Sequence, residues 1–553
     1  MGEPTRAEIF LAILLGLGRF VHWFYAAGQA DLAPPLIRKI YQHAAGTPGL
    51  FEANETDPKS EALPEIWTNF DDFVAKASEL ETIATGFSTS INDPSDLRRW
   101  EQSGRIASRA IRPIVRDMTV SRRTFLASSA AAIFAPSVGV AGSHRLRAEP
   151  VVTQILAGEF SEYGATPSFG FNGSTPGPLL KVRQGEELAV TFENRIGQAS
   201  SVHWHGIRIA NGMDGVPGLT QDPVPDGADF NYRFVAPDAG TYWYHSHSRS
   251  WEQVARGLYG PLIVEETTPP DVDADIIVIL DDWLLGEDAK FIDDFDTMFH
   301  FAHAGRMGNY AKVIPSQSSV RRGDRVRLRL INTANARVFP LDLTGINGKL
   351  VALDGMPLDA VEDFETVMLA PAQRADIIGD VEDTIAFSFQ TNQDNYALGA
   401  IAVEGSNPSP RSVEISALSP NNIAKPNGTP DHRETLRLQG GAMGGRHSGE
   451  DIWSFNGVSD LPDDPWLKVE RGTAVQISLV NDTSFPHGIH LHGQHFSELA
   501  EDGSPGPLRD TSLVNVRESR DILCIFDNPG KWLLHCHMLG HAATGMRTWV
   551  EVT

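Results

Sequence analysis

The hydrophobic pattern of the chain changes near residue 150. From there to the last residues, short segments alternate apolar and polar positions and are separated by turns rich in Gly, Pro and Asp. This period of two is typical of β-strands with one buried face. Upstream, between Trp67 and Phe87, apolar residues recur every three to four positions, which predicts helix. We therefore predict an all-β protein preceded by a helical N-terminal segment, residues 1–117.

One strand pattern occurs three times in the β region. A glycine is followed by three apolar residues at alternating positions and, nine positions after the glycine, by an asparagine: Gly185 to Asn194, Gly323 to Asn332, and Gly472 to Asn481. The copies lie 138 and 149 residues apart, a period too long for a solenoid and suited to homologous sandwich domains. We predict three Greek-key β-sandwich domains, at residues 150–267, 272–406 and 430–553.

A short segment in front of these domains has the features of an export signal. Arg122 and Arg123 precede a run of small and apolar residues, 127–142, and this order resembles a bacterial twin-arginine signal. A buried, alanine-rich helix is the alternative interpretation. We assign the signal to residues 118–145, expect the twin-arginine machinery to deliver the folded protein to the periplasm, and interpret Met118 as the natural start.

Residues 1–117 give little further information. Residues 62–73 resemble part of the four-helix-bundle cytochromes c′, a family that ends in a Cys-x-x-Cys-His haem motif. No cysteine precedes Cys524, so covalent haem is excluded, and we interpret this segment as an upstream fusion. Neither of its apolar stretches, 9–18 and 67–87, reaches the roughly 20 residues that a membrane span needs, so no membrane span is expected.

The composition excludes several classes of protein. The chain has 553 residues with 46 Lys and Arg against 71 Asp and Glu, and a net charge of −25. Such an acidic balance argues against a general nucleic-acid binder. Two cysteines allow at most one disulfide, so the chain is not a disulfide scaffold. The 18 histidines stand out, because they are not scattered.

Ten histidines and one cysteine fall into four short clusters. Imidazole is the commonest transition-metal ligand, and one thiolate among imidazoles selects copper or a related soft metal. Alternation along a strand places the two rings of each His-x-His motif on one side, and places Cys536 opposite His535 and His537. Isolated motifs of this kind often serve packing or bind adventitious metal, but four of them divided between two homologous repeats argue for a built site. The clusters are His203 and His205; His245 and His247; His487, His490 and His492; and His535, Cys536, His537 and His541.

Together the four clusters resemble those of the multicopper oxidases, a family that includes laccases, ascorbate oxidase and bacterial copper-resistance oxidases. The resemblance covers roughly residues 150–553. It implies cupredoxin-like domains and four copper ions, one of type 1, one of type 2 and two of type 3. By motif position, the type 1 ligands would be His487, Cys536, His541 and the axial Met546; the type 2 ligands His203 and His490; and the type 3 ligands His205, His245, His247, His492, His535 and His537.

The resemblance also implies a reaction. A reducing substrate (a phenol, Cu(I), Mn(II) or Fe(II)) would give single electrons to the type 1 copper, and the Cys536 thiolate would pass them to the trinuclear cluster, where dioxygen is reduced to water. Asp214 matches an acidic residue that controls protons or charge at this cluster; a plain Asp-Gly turn is the alternative. Ala542 stands where some bacterial relatives carry a proton-feeding glutamate.

Two other classes of protein are alternatives. A copper-free member of this fold that serves envelope assembly would have lost ligands, and a copper nitrite reductase would lack the full type 3 set and the third repeat. Neither description fits the residues present. The middle repeat has no His-x-His motif, which predicts a spacer. No motif identifies the electron donor or the oligomeric state.

Overall fold

The computed structural model describes residues 144–156, 163–391, 394–444 and 451–553. The predicted helical segment, its resemblance to cytochromes c′ and residues 118–143 of the predicted signal lie outside these ranges. The last two residues of that signal, His144 and Arg145, open the first strand.

None of the helices in the described ranges is long and apolar enough to cross a membrane.

The first repeat is a sandwich of two four-stranded sheets, with strand orders β2-β1-β4-β6 and β3-β8-β7-β5. Side chains of both sheets, among them Phe171 and Trp204, share one buried core. A short helix, α1 (Ser250–Gln253), follows β7. The strands are β1 (His144–Thr153), β2 (Thr166–Phe171), β3 (Leu180–Arg183), β4 (Glu187–Asn194), β5 (Val202–His205), β6 (Asp229–Val235), β7 (Gly240–Ser246) and β8 (Tyr259–Glu265).

The second repeat forms a nine-stranded sheet in which β17 joins β11 to the long strand β16. Its core is mostly aliphatic, includes three phenylalanines, and is separate from that of the first repeat. Helix α2 (Met298–Ala302) interrupts the connection between its first two strands. The strands are β9 (Ala274–Trp283), β10 (Tyr310–Pro315), β11 (Ser319–Arg322), β12 (Arg325–Asn332), β13 (Phe339–Leu353), β14 (Met356–Glu362), β15 (Thr366–Leu369), β16 (Arg374–Gln390) and β17 (Asn395–Ser406).

The third repeat is a sandwich of a six-stranded sheet, β19-β18-β21-β26-β23-β24, and a five-stranded sheet, β20-β28-β27-β22-β25. Helix α3 (Leu539–Ala543) follows β27. The strands are β18 (His432–Gly440), β19 (Trp453–Phe455), β20 (Leu467–Val469), β21 (Thr473–Asn481), β22 (His487–Leu491), β23 (Phe496–Leu499), β24 (Pro505–Arg509), β25 (Thr511–Val514), β26 (Ser519–Phe526), β27 (Gly530–Cys536) and β28 (Arg547–Val552).

The repeated sequence pattern has the same structural role in all three copies. Its alternating residues form β4, β12 and β21, and each of these pairs in parallel with the first strand of its own repeat. The pattern glycine has a positive φ of 80° to 90° each time, a conformation that glycine adopts without steric cost. The pattern asparagine is buried at the strand end, where its side-chain amide donates both to a carbonyl of the following turn and to a carbonyl of a segment 30 to 37 residues further along the chain. The all-β prediction is confirmed.

Candidate metal centres

The four histidine clusters lie on, or shortly after, two pairs of neighbouring strands. In the first repeat β5 pairs with β7, and His203 is directly opposite His245. In the third repeat β22 pairs with β27, and His490 is directly opposite His535. The two strand pairs meet, because the His203 ring stacks on that of His492 with centroids 3.9 Å apart. Eight histidines of two repeats are thereby gathered in one place.

The eight rings surround a common interior. Three sets of ring nitrogens lie within 4.8 Å of one another: His203, His490 and His492; His203, His205 and His245; and His247, His492 and His535. His537 belongs to the same group, since its ring centroid is 5.0 Å from that of His205. Each of the eight was predicted as a ligand from the sequence.

Several of these rings have a buried nitrogen without a hydrogen-bond partner among the described residues. These are Nε2 of His203, His245 and His490, Nδ1 of His205, and both nitrogens of His537. Leaving polar atoms unpaired in the interior is costly. On three of these rings the other nitrogen is held by a backbone carbonyl: Nδ1 of His203 by Asp214 at 2.8 Å, Nδ1 of His245 by Ser246 at 2.9 Å, and Nδ1 of His490 by Asp510 at 2.9 Å. Such outer contacts orient metal-ligating histidines, so the arrangement fits metal ions.

The protonation state of the rings fits metal binding as well. Burial, followed by repulsion from neighbouring histidines, lowers the pKa of His247, His492 and His537 well below the ordinary value. The rings are therefore neutral around neutral pH, and neutral imidazole is the form that binds metal.

Asp214 connects the histidines of the two repeats. Its Oδ2 lies 3.0 Å from Nδ1 of His492 and its Oδ1 lies 3.2 Å from Nδ1 of His203. The Asp-Gly turn is also present: Gly215 has a φ of +83°, and a Cβ there would lie 1.9 Å from the Val202 carbonyl oxygen. The turn therefore packs against β5 and directs the carboxylate to the histidines.

A second centre forms around the cysteine. The Cys536 Sγ lies 3.5 Å from Nδ1 of His487 and 3.7 Å from Nδ1 of His541. All three residues are buried. Met546 is buried in the same core, and its carbonyl accepts the Cys536 amide at 3.0 Å. Burial raises the pKa of the Cys536 thiol to about 12, so a bound cation is what would hold the sulfur as a thiolate.

The outer nitrogens of this centre are held by the protein. Nε2 of His487 donates to the Thr483 hydroxyl at 2.8 Å. Nε2 of His541 donates to the carbonyl of His303 at 2.6 Å, just beyond α2 in the middle repeat. The prediction that the middle repeat is only a spacer is thus wrong, because its backbone supports a residue of the cysteine centre.

One residue of the histidine cluster was missed by the sequence reasoning. Asp510, between β24 and β25, places Oδ1 3.2 Å from Nε2 of His205. Burial raises the pKa of Asp510, but the Arg374 guanidinium and the His205 ring outweigh this and hold it well below the ordinary value. The available signal was the charged pair Arg509-Asp510 between two short strands.

Comparison with protein families gives the same result for all three repeats. Models described as multicopper oxidase match residues 157–269, 288–416 and 429–553. The chain belongs to the multicopper oxidases. It is therefore an oxidoreductase that uses oxygen and a reducing substrate, and the family implies copper in the centres described above.

Several known proteins are similar to this oxidase over most of its length. Multicopper oxidase MmcO of Mycobacterium tuberculosis is 32% identical over 69% of this chain and 82% of its own length. Copper resistance protein A of Pseudomonas syringae pv. tomato is 26% identical over 79% of this chain and 100% of its own. The crystal structure of Lac15 from a marine microbial metagenome is 52% identical, with a TM-score of 0.64 over 74% of this chain and 100% of that one. The three sandwiches of this oxidase are cupredoxin-like.

Three other residues that lie close in sequence to the proposed ligands are not among them. Cys524 is free and buried in β26, its Sγ contacts the His495 carbonyl at 3.4 Å, and burial raises the pKa of its thiol well above the ordinary value. Gln494 donates to the Asn528 carbonyl at 2.7 Å. Ala542 lies in α3 and is buried.

The buried residue His495 is expected to make the folded protein less stable in acid. Its ring is buried with both nitrogens unpartnered among the described residues, and burial lowers its pKa to about 4. Between its ordinary pKa near 6.5 and about 4, the unfolded chain binds a proton that the folded chain does not, so the free energy of unfolding falls as the pH falls. On going from about pH 7.5 to about pH 5, we expect the free energy of unfolding to fall by about 2 kcal/mol less in His495→Leu than in the wild type.

Urea unfolding at the two pH values measures this effect. His432→Leu is the matched control, because His432 is an exposed histidine at the start of β18. If the free energy of unfolding falls by the same amount in the wild type, the control and His495→Leu, then His495 does not contribute to the loss of stability in acid.

Proposed function

We propose that this chain couples one-electron oxidation of a small donor at a type 1 copper to four-electron reduction of dioxygen to water at a trinuclear copper cluster. The observation that carries the proposal is that three consecutive residues belong to two different centres. Cys536 lies in the cysteine centre, while the flanking His535 and His537 lie among the eight histidines. Two centres are thereby joined through a single stretch of covalent bonds.

The ligand sets are assigned by motif position, and the proximity of the side chains supports them. His487, Cys536 and His541 would hold the type 1 copper, together with Met546. His203 and His490, whose Nε2 atoms are both buried and unpartnered among the described residues, would hold the type 2 copper. The type 3 pair would be held by His205, His245 and His537 on one side and His247, His492 and His535 on the other. When bound, the four coppers supply single-electron acceptance and the four-electron reduction of dioxygen.

The protein's own residues would organise this chemistry. Asp214 would hold His203 and His492 in place through its carboxylate and would keep negative charge beside the cations. Thr483 and the His303 carbonyl would fix the two imidazoles of the type 1 site. The alternating geometry of β27 would keep Cys536 between the two centres.

The surface beside the type 1 site favours a phenolic donor. Phe299 of α2 is 62% exposed and stacks on the His303 ring at 4.6 Å, directly beside the carbonyl that holds His541. Two of the acidic residues that could attract Mn(II) or Fe(II) are held in ion pairs, Asp482 with Arg437 and Glu498 with Arg520. The exposed Phe299 ring offers an aromatic donor a surface on which to stack.

Cu(I) is a second candidate donor because of two exposed thioethers. Met298 and Met307 are 39% and 43% exposed on the segment that contacts His541. Thioether sulfur is a soft ligand that favours Cu(I).

An oxygen-electrode screen with phenols, Cu(I), Mn(II) and Fe(II) tests the donor class. We expect the highest kcat/KM with phenols, and we expect Phe299→Ser to raise KM for phenols several-fold while the blue absorption is unchanged. Val152→Ser, which removes an exposed apolar side chain from β1, is the control. If turnover is instead fastest with Cu(I), and Met298→Ala or Met307→Ala reduces it, the donor is Cu(I) and not a phenol.

We also propose that the enzyme reaches the periplasm by twin-arginine export, on the basis of Arg122 and Arg123 and the apolar run that follows. N-terminal sequencing of the exported protein is the test. A mature chain that retains residues before Met118 would contradict both the signal and the proposed start.

A further inference from the structure

The two imidazoles of the cysteine centre are closed off from the surface. His487 and His541 are both fully buried. The Trp453 ring lies against them, with its centroid 4.1 Å from that of His541 and 5.1 Å from that of His487. Nε2 of His541, the nitrogen that points away from the cysteine, is held by the His303 carbonyl. A donor therefore cannot contact either imidazole while the His303 segment stays in place.

Helix α2 of the middle repeat belongs to this cover. The Phe301 ring of α2 is buried in the apolar core of the third repeat. A Cβ on Gly540 of α3 would lie 3.3 Å from the His300 carbonyl oxygen and 3.3 Å from the Phe301 ring, so the two helices are in direct contact. Phe299, also in α2, is exposed. One face of α2 thus packs on the third repeat and another meets solvent.

Trp453 fixes the position of α2. Its Nε1 donates to the Phe301 carbonyl at 2.6 Å, and the indole is fully buried. The indole cannot shift easily, because a Cβ on Gly441 would already lie 2.4 Å from its ring and its own amide donates to the Thr544 carbonyl at 2.9 Å. Indole has a single donor, and here that donor is committed to α2.

The chain just before α2 is anchored to the first repeat. Asp296 accepts Nε1 of Trp251 at 3.0 Å and pairs with Arg249 at 3.2 Å. Asp293 pairs with Arg256 at 2.8 Å. The three partners lie in or close to α1. Helix α2 is thus held by contacts with the first and the third repeat.

A continuous connection leads from the exposed face of α2 to the cysteine centre. The Phe299 ring stacks on that of His303 with centroids 4.6 Å apart, and the His303 carbonyl accepts the Nε2 proton of His541 at 2.6 Å. One ring contact, the residue His303 and one hydrogen bond therefore separate solvent from a proposed type 1 ligand. Electrons tunnel through covalent and hydrogen bonds over such short distances without direct contact between donor and ligand.

We propose that donor electrons enter this oxidase through α2 and the His303 carbonyl, without contact between the donor and a type 1 ligand, and that Trp453 is the positioning residue that holds α2 for this transfer. A phenol stacked on Phe299 loses one electron, which the type 1 site gains, and its hydroxyl proton goes to solvent. The inference rests on the proposed function. It assigns the surface that receives the donor to the middle repeat.

Trp453→Phe tests the proposal, because it removes the indole N–H and keeps an aromatic ring beside His541. The Phe301 carbonyl then loses its buried partner, so we expect the amides of residues 297–303 to exchange hydrogen about 10-fold faster, with or without copper. We also expect anaerobic reduction of the blue site by a phenol to become several-fold slower, because α2 is no longer fixed against His541. Exchange mass spectrometry and stopped-flow absorption on the full chain measure the two effects.

Trp549→Phe is the matched control. Trp549 is another buried tryptophan of the third repeat, and its Nε1 donates to the Pro462 carbonyl at 2.8 Å, a contact that does not involve α2. Hydrogen exchange in residues 297–303 and the rate of reduction should both stay at the wild-type values. Should Trp453→Phe fail to fold, Asp296→Asn weakens the anchor to α1 from the surface and should give both effects to a smaller degree.

The outcomes separate this inference from the proposed function. Unchanged exchange in residues 297–303 of folded Trp453→Phe, or an equal increase in Trp549→Phe, would overturn the positioning role. Faster exchange with an unchanged or higher rate of reduction would overturn the electron route, and a higher rate would mean that donors reach His541 directly once α2 is loosened. A wild-type protein that binds no blue copper would refute the proposed function, whereas the exchange measurement would still decide whether Trp453 fixes α2.

Discussion

Replacing Cys536 with serine should abolish the blue absorption and reduce donor oxidation to the uncatalysed rate. The reason is that the sulfur is both a ligand of the proposed type 1 copper and the covalent connection to His535 and His537. A serine hydroxyl is a poor ligand for copper at a site of this kind. Visible absorption, copper content per chain and oxygen uptake measure the effect, and we expect three coppers to remain.

Cys524→Ser is the matched control for this experiment. Cys524 is the other cysteine of the chain, is equally buried and lies in the six-stranded sheet of the same repeat, where its sulfur contacts a backbone carbonyl and none of the proposed ligands. This variant should keep its colour and its turnover. Blue absorption that persists in Cys536→Ser, or disappears in Cys524→Ser, would mean that the type 1 assignment is wrong.

Asp214→Asn should slow oxygen reduction by roughly 10- to 100-fold, the usual cost of losing an outer-shell partner. The substitution removes the negative charge beside the cluster while leaving the size of the side chain unchanged. Electrons should still reach the type 1 site, so its blue colour should bleach during turnover because reoxidation has become limiting. Stopped-flow absorption under excess donor distinguishes this from a defect in donor oxidation.

The control for Asp214 is Asp238→Asn. Asp238 is as buried as Asp214 but is held by Arg208 at 2.7 and 2.9 Å, and it has no hydrogen bond to a histidine of the described residues. Its turnover should be close to that of wild type. If Asp214→Asn instead turns over at the wild-type rate with the type 1 copper oxidised, the carboxylate has no role in oxygen reduction and the plain Asp-Gly turn is sufficient.

The sequence alone predicted the features that depend on local order. Alternation with a period of two indicated the strands, and the recurring glycine and asparagine identified three repeats, because a positive φ and a capped strand end constrain single residues. The histidine clusters could also be found from local order. In a strand, residues two apart share a face, so the two histidines of each motif point to the same side whatever the position of the strand in the fold.

Only the tertiary structure decided which residues meet across the repeats. Asp510 and Arg374 are far apart in sequence and belong to no ligand motif, and the His303 carbonyl is a backbone group that carries no signal at all. Which ring nitrogen remains free also depends on these outer contacts, since the tautomer of a histidine is set by its hydrogen-bond partner. Sequence thus identified the side chains suited to hold metal, whereas tertiary contacts within and between the repeats determined how their rings are held.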